Sequence, residues 1–209
     1  MPRKPPLLPP DAGPIPTPDK AHIDACRRCD LWERATQGVS GEGPAKARLM
    51  LVGEQPGDDE DTQGKPFVGP AGKLLRRALA EAGIPDDVFF LTNAVKHFSW
   101  EPRGKRRIHK TPAQRQIIAC RAWLDAEIAR TKPTVIVALG ATALNGVMGQ
   151  RLKVGDSRAV ALQHASGAMV VATYHPSATL RAPDEQARQA LLENLVADLV
   201  RAWKLAKPR

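Results

Sequence analysis

LMLVGEQPGDDEDTQGKPFVGPAGKLL, residues 49–75, joins a short apolar strand to a helix through a loop suited to close contact with a ligand. The apolar run 49–52 passes into Gly53-Glu54-Gln55-Pro56-Gly57. Glycines on both sides of Glu54 let backbone come near a ligand and take conformations closed to other residues. An acid-rich segment containing Asp61 follows, and then Lys65-Pro66-Phe67. Pro66 stiffens the approach to Phe67, an aromatic ring in a polar loop. Gly69-Pro70-Ala71-Gly72 then opens the helix. A carboxylate, exposed amides and one flat ring suggest a pocket for a small planar polar group. The plainer alternative is an ordinary strand-to-helix turn with a stray Phe.

The same alternation runs along the rest of the chain. Apolar runs predict strands at 48–52, 88–92, 134–139 and 168–173, with helices near 70–82, 112–130 and 141–148 between them. A last helix is predicted over 184–204, with Leu191, Leu192, Leu195, Val196, Leu199, Val200 and Trp203 on one face. Thr111-Pro112 combines an N-cap with proline at the first helical position, which sets the expected start of the second long helix. Strands separated by helices imply an α/β fold: a three-layer sandwich around a central four-stranded parallel sheet. Ligands in such folds sit beyond the carboxyl ends of the strands. Glu54, Asn93, Gly140 and His175 each follow or end a predicted strand, so four strand ends converge on one crevice.

Composition bounds the function. A chain of 209 residues fits one domain with an apolar core. Lys and Arg outnumber Asp and Glu by 31 to 22, a net charge of +9, which favours a polyanionic partner or serves solubility. No apolar run reaches membrane-spanning length and no secretory segment follows Met1, so no membrane partner and a cytoplasmic place are expected. The proline-rich stretch 1–20 reads as a flexible arm ahead of a single domain at 21–209. Nothing in the pattern demands a dimer, and a monomer is expected.

His175, placed after a strand, can donate to a carbonyl oxygen, and Arg181 further on can meet a phosphate. Asn93 offers donor and acceptor together, enough to read the edge of a pyrimidine. Each has a bland reading, as a satisfied structural histidine and as a turn asparagine.

On four motifs the chain resembles the uracil-DNA glycosylase superfamily, and within it the family 4 iron–sulfur enzymes: GEQPG (53–57), KPFVGPAG (65–72), TNAVKH (92–97) and HPS (175–177). These come in order and the likeness covers nearly all of 22–204. The resemblance implies that Phe67 stacks on a flipped uracil, Asn93 reads its Watson–Crick edge, and His175 bonds uracil O2 as charge develops. Glu54 takes the place of the acid that helps the sugar cation or its nucleophile. Gln55, Asp61, Ser177 and Arg181 belong with the substrate-binding residues on the same likeness. The chemistry is coherent, since a base must leave the stack to be read in a tight pocket. Donors aimed at the departing anion act where charge appears.

Two departures are informative. The usual family 4 motif is GEAPG, where this chain has Gln55. Between the second strand and the Thr111 helix lies RGKRRIHK, residues 103–110, with Arg103, Lys105, Arg106, Arg107 and Lys110 around His109. Such a basic loop can simply bind phosphate. Its KRRIH pattern resembles the UdgX subgroup, whose members excise uracil and then stay attached to DNA through that histidine. The likeness makes His109 a covalent nucleophile: an imidazole held over the sugar C1′ outcompetes water by proximity.

Cys26-Arg27-Arg28-Cys29 and Cys120 make three cysteines, an odd count for a disulfide framework, and in an intracellular protein such a pair points to metal or redox chemistry. Three thiolates need a fourth ligand. Family 4 has a cysteine where this chain has His97, so the resemblance implies that Cys26, Cys29, His97 and Cys120 hold a [4Fe–4S] cluster. The spacing alone suits a Cys3His zinc site equally. His22 is a competing ligand by proximity, and Trp100 is the tryptophan that adjoins the basic loop. Three functions follow: a uracil-DNA glycosylase ending as a covalent adduct, with single-stranded DNA the expected substrate; a multi-turnover family 4 glycosylase; and a non-catalytic nucleic-acid binder.

Overall fold

The structure, a computed structural model, describes residues 17–207. In chain order the elements are α1 (Lys20–Asp24), a 3-10 turn (Asp30–Glu33), β1 (Leu49–Gly53), α2 (Asp58–Gln63), α3 (Pro70–Glu81), β2 (Phe89–Asn93), β3 (Trp100–Arg103) and β4 (Arg106–His109). Then come α4 (Gln114–Thr131), β5 (Val135–Leu139), α5 (Ala141–Met148), α6 (Val154–Ser157), β6 (Leu162–Gln163), β7 (Met169–Thr173), α7 (Pro176–Leu180) and α8 (Glu185–Ala206). The main sheet has the order β2-β1-β5-β7-β6. Its first four strands are parallel and correspond to the four predicted from apolar runs.

Three layers follow from the pleat. Leu49 and Leu51 of β1 point to one side with Val135, Val137 and Leu139 of β5, where Leu75 and Leu79 of α3 and Leu195 and Leu199 of α8 cover them. Met50 and Val52 point to the other side with Ile136 and Ala138, under Leu124 and Ile128 of α4 and Leu144 and Val147 of α5. Burial on both faces explains why these strands are continuous apolar runs and not alternating ones. A third, smaller cluster joins Ile23 and Leu31 to Val95, Ile117 and Trp123, and so seats the amino-terminal segment on α4. No helix among the described residues is long and apolar enough to cross a membrane.

Three expectations need correction. The sheet has a fifth strand, β6, antiparallel to β7 and only two residues long. The basic loop is a hairpin: β3 and β4 pair antiparallel, with Arg103 opposite Arg106 and Trp100 opposite His109. Gly104, at φ 61°, makes the two-residue turn that joins them. Helix α4 starts at Gln114 and not at Pro112; Gln116 Oε1 accepts from the Ala113 N–H at 2.7 Å, so the cap is made from inside the helix. Residues 1–16 of the expected arm lie outside the described residues, and its end is ordered structure. Asp19 caps α1, accepting from the His22 N–H at 3.0 Å. The His22 ring also meets Asp19, at 2.8 Å, which accounts for its position without a metal.

The turn after β2 hangs on a fully buried ion pair that sequence reading did not find. Lys96 Nζ and Glu127 Oε2 are 2.7 Å apart with no side-chain exposure on either. Lys96 also donates to Thr92 Oγ1 and to the Asn93 carbonyl, and Glu127 accepts from the Thr92 hydroxyl and the Gly41 N–H. Removing one partner leaves a buried charge without its counterpart, which costs about 3–5 kcal/mol. Glu127→Ala is expected to lose stability of that order in urea unfolding, whereas Lys96→Met combined with Glu127→Leu recovers most of it.

Candidate functional site

The carboxyl ends of β1, β2, β5 and β7 open into a cleft of about 710 Å³, lined among others by Glu54, Phe67, Asn93, His109, Gly140 and His175. Gly53 makes its floor possible. A Cβ there would lie 2.4 Å from Asn93 Oδ1 and 2.6 Å from Phe67 Cζ, so only glycine lets the amide and the ring close over the strand end. Phe67 itself has φ 56°, a conformation that bulky residues avoid, and its ring is buried at 6% exposure. Strain of this kind persists where the surroundings over-determine it, and here it aims a flat ring into the cleft. Glu60 braces the loop, accepting from the Gly57 N–H at 3.0 Å and the Gly69 N–H at 2.7 Å, and so ties together the two ends of the segment that carries Phe67.

His175 caps α7. Its Nδ1 accepts from the Ser177 N–H at 3.1 Å and lies 2.7 Å from the Ser177 hydroxyl. A ring whose Nδ1 accepts from a backbone N–H carries its proton on Nε2, which leaves an N–H donor for the cleft. Burial pushes its pKa down to about 4; the Glu54 carboxylate opposes that, and Arg181 and His109 add to it. His175 is therefore a neutral donor at neutral pH. The Ser177 N–H and hydroxyl both meet that ring and orient it, and Ser177 also lines the cleft.

Glu54 lies between two histidines. Its Oε1 is 3.2 Å from His109 Nε2. Burial raises its pKa, but hydrogen bonds from His109 and Thr142 and the nearby His109 and His175 hold it below the usual carboxylate value. It stays ionised. His109 is half-exposed, at the end of β4, with its ring tilted 49° to Phe98 and 6.3 Å away.

The basic segment divides into two kinds of cation. Arg103, Lys105, Arg106 and Lys110 are exposed. Arg107 turns inward, with Nη1 at 2.6 Å from Asp61 Oδ2 and Nη2 at 2.5 Å from Asp58. This corrects two expectations at once. Asp61 has no exposure and is spent on Arg107 and on the Thr36 N–H at 3.0 Å, so it does not face the cleft. Arg107 anchors the hairpin and is not a free phosphate contact. Gln55 is likewise a clamp: its Nε2 donates to the Ser99 and Lys110 carbonyls at 3.0 and 3.2 Å, and its Oε1 accepts from the Ser99 N–H at 2.9 Å. It lines the cleft while fastening both strands of the hairpin. Tyr174 and Thr142 were not picked out from sequence. Tyr174 is the chain's one tyrosine, next to His175, which was the available signal.

Cys26, Cys29 and Cys120 gather in the third apolar cluster. Trp123 Nε1–H donates to Cys26 Sγ, and the Lys96 N–H to Cys120 Sγ, each at 3.2 Å. Burial pushes the Cys29 thiol up to about 11 and Cys120 up to about 12. His97 is buried, with its pKa pushed down to about 4 by that burial, and lines a separate hollow with Lys20, Asp24, Arg27 and Trp32. Among the described residues no three His, Cys, Asp or Glu side chains stand at metal-holding spacing. The thiols, with N–H donors on two sulfurs, fit the sulfur side of a metal group, and His97 is not drawn in with them.

A profile of the Uracil DNA glycosylase superfamily matches residues 40–200. The chain is 38% identical to a type-4 uracil-DNA glycosylase of Thermotoga maritima over 174 residues, 83% of this chain and 87% of that one. It is 40% identical to a type-4 uracil-DNA glycosylase of Pyrobaculum aerophilum over 168 residues, 77% of this chain and 82% of that one. A type-5 uracil-DNA glycosylase of the same organism is 27% identical over 178 residues.

A histidine with a folded pKa of about 4 and an unfolded value near 6.5 favours the folded state fully above pH 6.5 and loses that contribution as pH falls toward 4. The urea midpoint is therefore expected to fall between pH 7 and pH 5, and His175→Gln is expected to flatten that slope.

Proposed function

Because this chain belongs to the uracil DNA glycosylase superfamily, we propose that it excises uracil from DNA and is then captured by it through His109. The excision half follows from the family and from a complete base pocket. Phe67 offers a face for a flipped uracil, Asn93 offers a donor and an acceptor for its edge, and the His175 Nε2–H meets the carbonyl oxygen on which charge builds. The N-glycosidic bond breaks with its electron pair leaving on uracil, and Glu54, ionised beside the sugar, stabilises the cation left behind.

The capture half rests on a single observation, the 3.2 Å contact between His109 and Glu54. It puts an imidazole beside the carboxylate that faces the sugar. A lone pair on a ring nitrogen bonds to C1′, and the proton on the other nitrogen passes to water. The product is a neutral N-alkylimidazole, a poor leaving group. The runner-up is a multi-turnover glycosylase, in which water takes the same position.

Both readings are separated by heating the protein with a labelled uracil-containing single strand in detergent and running a denaturing gel. Capture predicts a band of protein plus DNA, absent when thymine replaces uracil. His109→Ala is expected to lose the band yet still release uracil and leave an alkali-labile site. A wild-type protein that releases uracil repeatedly without the band overturns capture.

Cys26, Cys29 and Cys120 would hold a [4Fe–4S] cluster, with His97 the candidate fourth ligand after a local shift. Such a group supplies a cross-link between the amino-terminal segment and α4, and no step of the base chemistry. Protein purified without oxygen is expected to contain iron and sulfide in equal amounts, and chelation after oxidation is expected to lower the unfolding temperature. Zinc without sulfide overturns the assignment.

A further inference from the structure

Beside the cleft is a second hollow, of about 260 Å³, that the proposed chemistry does not use. Thr111 lines both, so the two adjoin at the residue that follows the hairpin. Phe98 and Trp100 supply its aromatic wall, and Arg34, Lys110 and Arg115 its positive charge.

The wall is layered and fixed. The Arg34 guanidinium lies 4.4 Å from the centre of the Trp100 ring, and the Trp100 indole N–H donates to the Arg34 carbonyl at 2.9 Å. Arg115 is balanced by Asp30 at 2.9 Å, which cancels the carboxylate that would otherwise repel an anion. Arg34 makes no ion pair among the described residues, and Lys110 reaches only the exposed Glu101, at 3.7 Å. The volume is just under the roughly 300–1,000 Å³ of drug-sized sites, which suits one flat fragment. A guanidinium plane on an indole is a shelf on which a base stacks, and free cations at its edge take a phosphate.

We propose that this hollow is a second nucleotide subsite, which receives the base next to the flipped uracil on an unpaired strand. The inference rests on the uracil-DNA reading above and deepens it. A base paired in a duplex stays in its stack and cannot enter, so the subsite makes single-stranded DNA the better substrate. It also gives Trp100, which no part of the uracil pocket employs, a role in binding.

The test is single-turnover uracil release against protein concentration, on single strands whose neighbour to uracil, on either side, is a normal nucleotide or a tetrahydrofuran abasic analogue. One of the two abasic positions is expected to raise the half-saturating protein concentration about fivefold or more, the effect of losing one stacked base, with the maximal rate unchanged. Ala113 lines the hollow from an exposed position outside the catalytic groups. Ala113→Phe should fill it, raise the half-saturating concentration on the normal strand by a similar factor, and abolish the difference between normal and abasic neighbours. Arg34→Ala should do the same in part. Equal half-saturation on all strands, or a normal neighbour effect in Ala113→Phe, overturns the subsite while uracil release continues. No uracil release from any strand overturns the glycosylase reading on which the subsite rests.

Discussion

A carboxylate with no access to water sets the position of the hairpin. Asp61 is fully buried, and taking an ion out of water costs several kcal/mol unless a counter-charge and hydrogen bonds replace what is lost. Arg107 supplies the charge at 2.6 Å and the Thr36 N–H part of the hydrogen bonding. Because β4 alternates with a period of two, the inward turn of Arg107 brings His109 to the same face of the strand. That face looks toward the loop after β1. Gln55 then fastens the base of the hairpin through Ser99 and Lys110, and the Glu54 beside it meets His109. One buried charge and one buried amide thus turn a mobile kind of sequence into a positioned imidazole.

The parallel sheet was legible because its strands are buried on both faces, and such strands are unbroken apolar runs between amphipathic helices. Their carboxyl ends named the cleft, and Glu54, Phe67, Asn93, His109 and His175 all line it. What escaped has a common cause. The hairpin contains Pro102, Gly104 and four cations between Trp100 and His109, with no apolar alternation to mark it. Strand β6 is too short to leave a pattern. Asp61 and Gln55 are polar and near a motif, which suggests the substrate, but the groups they bond lie 25 to 55 residues away in the chain. A polar side chain has no periodicity that reveals what it will bond. The Lys96–Glu127 pair was invisible for the same reason, since nothing local distinguishes a buried lysine from a solvated one.

The division among the cations separates affinity from architecture. Arg107 is neutralised by Asp58 and the buried Asp61, whereas Arg103, Lys105 and Arg106 remain exposed on the hairpin. Contacts of the exposed kind carry the salt-dependent, sequence-independent part of DNA binding, through release of counterions. On the proposed reading they draw a strand across the hairpin without reading it. On that reading the base is recognised by the enclosed groups of the cleft, where an unsatisfied polar group is costly and discrimination correspondingly sharp. On the same reading, carrying the exposed cations and His109 on one hairpin lets a strand held by its phosphates lie over His109.

The state of Glu54 bears on the choice between capture and turnover. One carboxylate oxygen is engaged with His109, and a hydrogen bond with Thr142 holds the group besides. To activate a water against the sugar cation, the carboxylate must release the imidazole and accept from that water. To support capture it need only hold the imidazole in place until the ring bonds to C1′. The cation is short-lived, and the group nearest C1′ when it forms has the advantage that proximity confers. A glycosylase that turned over efficiently would profit from an unencumbered carboxylate and an empty place for water. Here a ring fastened through the Arg107–Asp61 pair and the Gln55 clamp stands against that carboxylate. On the proposed reading, therefore, the same packing that makes the hairpin rigid biases the cation toward the protein and away from solvent.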